Sequence, residues 1–95
     1  MMELSVEFTG LARVLSKVSS QTLDVDDETT YQHILRMLGE RHPELIGDVI
    51  APDFSGLQHS NMMNLNGAHM IQPSQMDQSP SDGDRIILMS ILAGG

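Results

Sequence analysis

Apolar and polar residues alternate at the start of the chain, where Leu4, Val6 and Phe8 are separated by Glu3, Ser5, Glu7 and Thr9. A period of two marks a strand with one buried face, and Gly10 ends it. Residues 11–17 suit either a wide turn or a single helical turn. Leu23 and Val25 then alternate with Thr22, Asp24 and Asp26, which predicts a second strand and an opening hairpin with a loose connection. The period changes at Tyr31. Tyr31, Ile34, Leu35 and Leu38 recur at i, i+3, i+4 and i+7, one apolar stripe, while Gln32, His33, Arg36 and Glu40 face elsewhere. The acidic residues Asp26, Asp27 and Glu28 suit a helix start, Thr29 with Gln32 has capping-box spacing, and Thr30 competes as the cap. Pro43 disfavours the α conformation at His42, so the helix is predicted to end near Arg41.

Beyond the helix, residues 44–60 carry two glycines, Pro52 and scattered apolar side chains, and read as a long wrapping connection. Asn66-Gly67 lies between two short runs and accepts positive φ at both positions, which predicts a second hairpin or a bent strand. Residues 72–81 are polar, contain Pro73 and Pro80, and read as a surface loop. Asp82-Gly83-Asp84 then turns the chain into an apolar run from Ile86 to Leu92, too short for a membrane helix and apolar on both faces. Such a strand belongs in the middle of a sheet. The fold class that follows is α+β, a mixed sheet with one main helix packed across it. The predicted division is a folded domain over 1–92 and a flexible diglycine tail over 93–95, with a free carboxylate on Gly95.

Composition narrows the chemistry. Ninety-five residues make one domain, able to bury about 60–65% of its unfolded surface and too small for a roomy catalytic cleft. Thirteen acidic against five basic residues give a net charge of −8, which repels nucleic acid and favours a basic partner surface. The absence of cysteine removes disulfides, thiolate metal sites and cysteine nucleophiles. No segment has the length or pattern of a signal peptide or a membrane span, so a cytosolic, cytoplasmic protein is expected. His33, His42, His59 and His69 lack metal-ligand spacing, and Asp82 and Asp84 suit backbone capping beside a turn glycine rather than acid–base work.

Asp82-Gly83-Asp84-Arg85-Ile86 through Ala93-Gly94-Gly95 resembles the ubiquitin-like β-grasp sulfur carriers, which include the small subunit of molybdopterin synthase, the thiamine sulfur carrier and the ubiquitin-related modifier of transfer-RNA thiolation. Leu4-Ser5-Val6-Glu7-Phe8, the segment Glu40-Arg41-His42-Pro43-Glu44-Leu45 and Asn66-Gly67 extend the resemblance over most of the chain. Leu88, Met89, Ser90 and Ile91 stand where molybdopterin synthase subunits often carry aromatic residues and prolines.

The resemblance implies a substrate or carrier rather than a catalyst. Gly95 would be the modified residue, joined to AMP by an adenylating enzyme of the ubiquitin-activating type. ATP and magnesium would be bound by that enzyme, since this chain has no phosphate loop and no basic cradle. A sulfur-donating enzyme and a sulfur-accepting synthase or target protein complete the implied partners. Gly94 and Ala93 form the tail, and glycine allows the close backbone approach that a narrow site requires. If Ile86 and Leu88 face the helix, then Ile87, Met89 and Ile91 form an apolar strip on the other face, suited to docking the activating enzyme. Alternatively, residues 44–60 fold over that strip, or the protein self-associates there. Three functions stay open: a sulfur carrier acting through a Gly95 thiocarboxylate, a protein modifier joined through Gly95 to target lysines, and a binding module with an inert tail. Lys17, the only lysine, leaves a single internal site for chain-building and favours a carrier or single-unit tag.

Overall fold

Arg85–Ser90, the last strand (β5), is the middle of a five-stranded sheet in a computed structural model that describes residues 1–58 and 60–90. Around it the chain places β1 (Met2–Phe8), α1 (Gly10–Ser16), β2 (Ser20–Val25), α2 (Tyr31–Arg41), β3 (Asn61–Leu65) and β4 (His69–Ile71). The spatial order is β2-β1-β5-β3-β4. β5 runs parallel to β1 and antiparallel to β3, and the two outer pairs are antiparallel. The mixed α+β architecture is therefore the expected one, with the apolar final strand at its centre.

Alternation decides the core. Met2, Leu4, Val6 and Phe8 of β1, Leu23 and Val25 of β2, and Ile86 and Leu88 of β5 are all buried and form one cluster with Tyr31, Ile34, Leu35 and Leu38 of α2. Residues 44–58, read from sequence as a wrapping connection, contribute Leu45, Val49 and Ile50, none of which is exposed at all. They begin with a 3-10 turn at Pro43–Leu45, as a proline at the first position favours.

Three local expectations are corrected. Residues 11–16 belong to a seven-residue helix, α1, with Lys17 as its C-cap, rather than to a wide turn or a single turn. Its buried residues are Ala12 and Ser16, small enough for the helix to lie close against its neighbours; Leu15 packs half-buried against the core, while Leu11 and Val14 point outward. At the next helix Thr30, not Thr29, is the cap. The Thr30 Oγ1 accepts from the His33 N–H at 3.2 Å, and His33 Nδ1 accepts from the Thr30 N–H at 3.2 Å. Thr29 instead donates its hydroxyl to Asp26 Oδ1 at 3.2 Å, closing the turn that precedes the helix. Thr30→Ala should lower stability by about 0.5–2 kcal/mol, read as a lower urea midpoint with an unchanged m-value.

The third correction concerns residues 72–81, which are more than a polar surface loop. Met76 and Pro80 are buried, and the carbonyls of Gln78 and Met76 accept from the N–H groups of Tyr31 and Gln32 at 3.0 Å each. These are donors of the first helical turn that have no partner within α2, so the loop completes the helix start. Burial, together with the nearby Asp84 carboxylate, raises the Tyr31 phenol above its ordinary value. A group raised in the folded state stabilises fully below its unfolded value and loses that contribution as pH climbs through the folded one. Tyr31 is the only tyrosine and there is no tryptophan, so alkaline titration followed by phenolate absorbance reports it alone. The native midpoint should lie above that of the urea-unfolded chain, and stability should fall above about pH 10.

Candidate functional site: the two ends of the central strand

The start of β5 is tied down by the two turn motifs read from the sequence. Asp82 Oδ1 accepts from the Glu3 N–H at 2.8 Å, and Asp84 Oδ2 accepts from the Ser81 N–H at 2.8 Å. Asp84 Oδ1 also accepts from Asn66 Nδ2 at 3.0 Å, while Asn66 Oδ1 accepts from the Arg85 N–H at 2.7 Å. Asn66 and Gly67 both hold positive φ, 59° and 72°, as the hairpin required. Asp-Gly-Asp and Asn-Gly are thus one hydrogen-bonded knot that fixes where the central strand enters the sheet. Asp82 serves a backbone donor, and Asp84 serves one backbone and one side-chain donor.

The far end is held by the beginning of α1. The Leu88 carbonyl accepts from the Thr9 hydroxyl at 2.6 Å and from the Thr9 N–H at 3.0 Å. Ser90 Oγ accepts from the Leu11 N–H at 2.8 Å. Gly10 lies between them at φ +57°, and a Cβ there would fall 2.4 Å from Ser90 Oγ. Only glycine meets both demands, since the backbone is left-handed and the space is already filled. The last described strand residue is consequently clamped in place. Ile91, Ala93, Gly94 and Gly95, named above as site residues, lie outside the described residues, as does the boundary expected after residue 92.

Between these ends the side chains of β5 divide by face. Ile86 and Leu88 are 0% and 1% exposed beneath the helix, whereas Ile87 and Met89 are only half-buried on the opposite face. Ile87 lies between Glu7 of β1 and Asn64 of β3, and Met89 is opposite Met62. Met70 of β4 continues the row beyond Asn64. The hairpin therefore widens the expected strip with Met62 and Met70, which sequence reasoning missed. Its signal was available, because counting back from Asn66-Gly67 in steps of two places Met62 and Asn64 on one face. On the β1 side the row turns polar, with the Arg85 Nε 2.9 Å from a Glu7 carboxylate oxygen.

The connection over 44–58 sends Leu45, Val49 and Ile50 into the core and brings Gly56 and Leu57 beside Met62 and Met70 at the edge of the strip. Ile46 and Phe54 pack against Gly39 of α2, where a Cβ would meet them at 3.3 and 2.7 Å, and the Arg36 guanidinium lies 4.9 Å from the Phe54 ring centre. A cavity of about 250 Å³ opens where β4 stops, lined by Met62, Met63, Met70 and Met76 among others, with no titratable side chain among the described residues of its wall. Among the described residues no three histidine, aspartate or glutamate side chains converge as a metal site. His42 bonds to the Gln21 side-chain oxygen at 2.9 Å and meets the Phe8 ring edge-on, and His33 belongs to the α2 cap. No helix among the described residues is long and apolar enough to cross a membrane.

The fold matches several solved structures. It superposes on SAMP1 of Haloferax volcanii with a TM-score of 0.79 at 19% identity, covering 98% of this chain and 99% of that one. Urm1 of Trypanosoma brucei matches with a TM-score of 0.71 at 24% identity, covering 98% and 95%. A putative molybdopterin converting factor, subunit 1, of Pyrococcus furiosus matches at 0.71 and 14% identity, covering 97% and 100%. No curated protein sequence matches the chain. The sequence model of the ThiS family matches residues 6–95, from the first strand through the terminal diglycine. The chain belongs to the ThiS family of ubiquitin-like β-grasp sulfur carriers.

Proposed function

We propose that this protein carries sulfur on Gly95, as the substrate of an adenylating enzyme of the ubiquitin-activating type. The family match running through Gly94-Gly95 carries the reading. A carboxylate is a poor electrophile, since it is charged and oxide is a bad leaving group. One carboxylate oxygen therefore attacks the α-phosphorus of ATP and pyrophosphate departs, leaving an acyl adenylate. Sulfur at the oxidation level of sulfide, delivered by a sulfur-donating enzyme, then attacks the carbonyl carbon. AMP leaves with the bonding pair and a thiocarboxylate remains for a sulfur-accepting synthase. ATP and magnesium belong to the activating enzyme, and this chain supplies the acyl group and its positioning.

The fold supports the assignment mechanically. The central strand is hydrogen-bonded on both sides and clamped at Ser90, and the five residues 91–95 that follow allow the carboxylate a reach of at most about 17 Å from that clamp. Ile87 and Met89, with Ile91 beyond them, would give the activating enzyme an apolar surface beside that clamp, and Met62 extends it.

A second reading, conjugation through Gly95 to target lysines, is favoured by the likeness to a protein named as a small archaeal modifier. Intact-mass spectrometry of the protein from its native host separates the two. A mass increase equal to exchange of one oxygen for sulfur, placed on Gly95 by fragmentation, is the expected result. Lysine adducts ending in Gly94-Gly95 on an otherwise unmodified pool would transfer the assignment to the modifier. Neither species under sulfur-replete growth would leave the inert-tail module.

A further inference from the structure

Leu11 and Val14 are 38% and 69% exposed, and with Met1 they are the large apolar residues most open to solvent among the described ones. They lie three apart on α1 and so share one face of it. The core side of α1 is made by the buried Ala12 and Ser16 with Leu15 half-buried beside them, and Leu11 and Val14 lie outside that contact. The same helix carries Arg13 and ends at Lys17, two of the five basic residues in a chain of net charge −8. Both are exposed, and neither forms an ion pair among the described residues.

The position of this patch identifies its occupant. The Leu11 N–H is bonded to Ser90 Oγ, and Val14 follows about 4.5 Å farther along the helix axis. Ser90 has the face parity of Ile86 and Leu88, so α1 stands on the side of the central strand opposite Ile87 and Met89. Five residues, 91–95, connect Ser90 to the reacting carbon, a span of at most about 17 Å. An enzyme that holds Gly95 therefore acts within about 17 Å of the Ser90–Leu11 bond.

We propose that Leu11, Val14, Arg13 and Lys17 form a second docking surface for the adenylating enzyme, which takes hold of the strand end from both sides. The complementary surface on that enzyme is an apolar depression bordered by carboxylates. The proposal rests on the adenylation reading above.

The test is ATP–pyrophosphate exchange by the ubiquitin-activating-type enzyme of the same genome, with the full chain as the varied substrate. Val14→Asp should raise KM about tenfold with kcat unchanged, as loss of a buried interface anchor does. The pair Arg13→Glu and Lys17→Glu should raise it too, and added salt should shrink the difference from wild type. Asp24→Asn, an exposed substitution on β2 opposite Glu3 and so level with the entry of the central strand, should change nothing. If Val14→Asp lowers the melting temperature, Val14→Ser takes its place. A KM equal to wild type for the Val14 and charge-reversal variants overturns the second surface while leaving adenylation standing. A Val14 variant that alters oligomeric state in light scattering, with KM unchanged, assigns the patch to a second copy of the chain instead. Wild-type chain that supports no exchange overturns the adenylation reading itself.

Discussion

Gly94→Leu should lower adenylation of Gly95 by about 100-fold or more, equivalent to about 2.7 kcal/mol of lost transition-state stabilisation, while thermal stability stays at the wild-type value. The reasoning is steric. The activating site must enclose a carboxylate and exclude water, so the backbone next to the reacting carbon is approached from all sides. A residue without Cβ permits that approach and the unusual dihedrals it imposes. Leucine obstructs the passage. The loss should fall on kcat as well as KM, because misplacing the carboxylate affects the reacting geometry and not merely docking. Gly94→Ala should fall between the two. Pyrophosphate exchange measures the effect, and normal exchange by Gly94→Leu would remove Gly94 from the site. The fold is expected to be indifferent, since the described core ends with Leu88 and the final clamp with Ser90.

Much of this arrangement was legible before any coordinates. The central position of β5 followed from a short run apolar on both faces. The hairpin followed from Asn66-Gly67, and α2 from its stripe and Pro43. These features rest on local rules, in which the period of apolar residues or the dihedral freedom of a turn residue decides the outcome. What escaped was decided at longer range. α1 has no side-chain cap at Thr9 and fully buries only Ala12 and Ser16, with Leu15 half-buried beside them, so no stripe of large apolar residues marks its helix. Thr30 prevailed over Thr29 because Asp26 takes the Thr29 hydroxyl, a contact that depends on how the turn closes. The clamp at Ser90 joins residues 79 apart in sequence, and no spacing rule reaches that far. The candidate strip was half visible. Ile87 and Met89 came from alternation along one strand, but Met62 and Met70 needed the register between strands.

Leu88→Ala should cost about 2–5 kcal/mol, the range for a buried leucine truncated to alanine. Leu88 is 1% exposed, sits in the middle strand, and lies between Phe8 of β1 and Met63 of β3, both themselves buried. Neighbours on two strands limit how far the site can collapse, which places the cost toward the upper part of that range. A chain of 95 residues has about 5–14 kcal/mol in total, so this substitution consumes a large share. Urea denaturation should show the midpoint falling at constant m. Met89→Ala, one residue along and half-buried on the other face, should cost about 1 kcal/mol or less, in keeping with its exposure. Equal costs at 88 and 89 would mean that the outer face is as tightly packed as the core, and the strip would then not be free for a partner. The two positions also separate stability from chemistry. Leu88→Ala keeps the carbonyl that accepts from Thr9 and leaves Ser90 bonded to Leu11, so at a temperature where it remains folded its adenylation should match wild type. Gly94→Leu should show the reverse pattern, a stable chain that the activating enzyme cannot use.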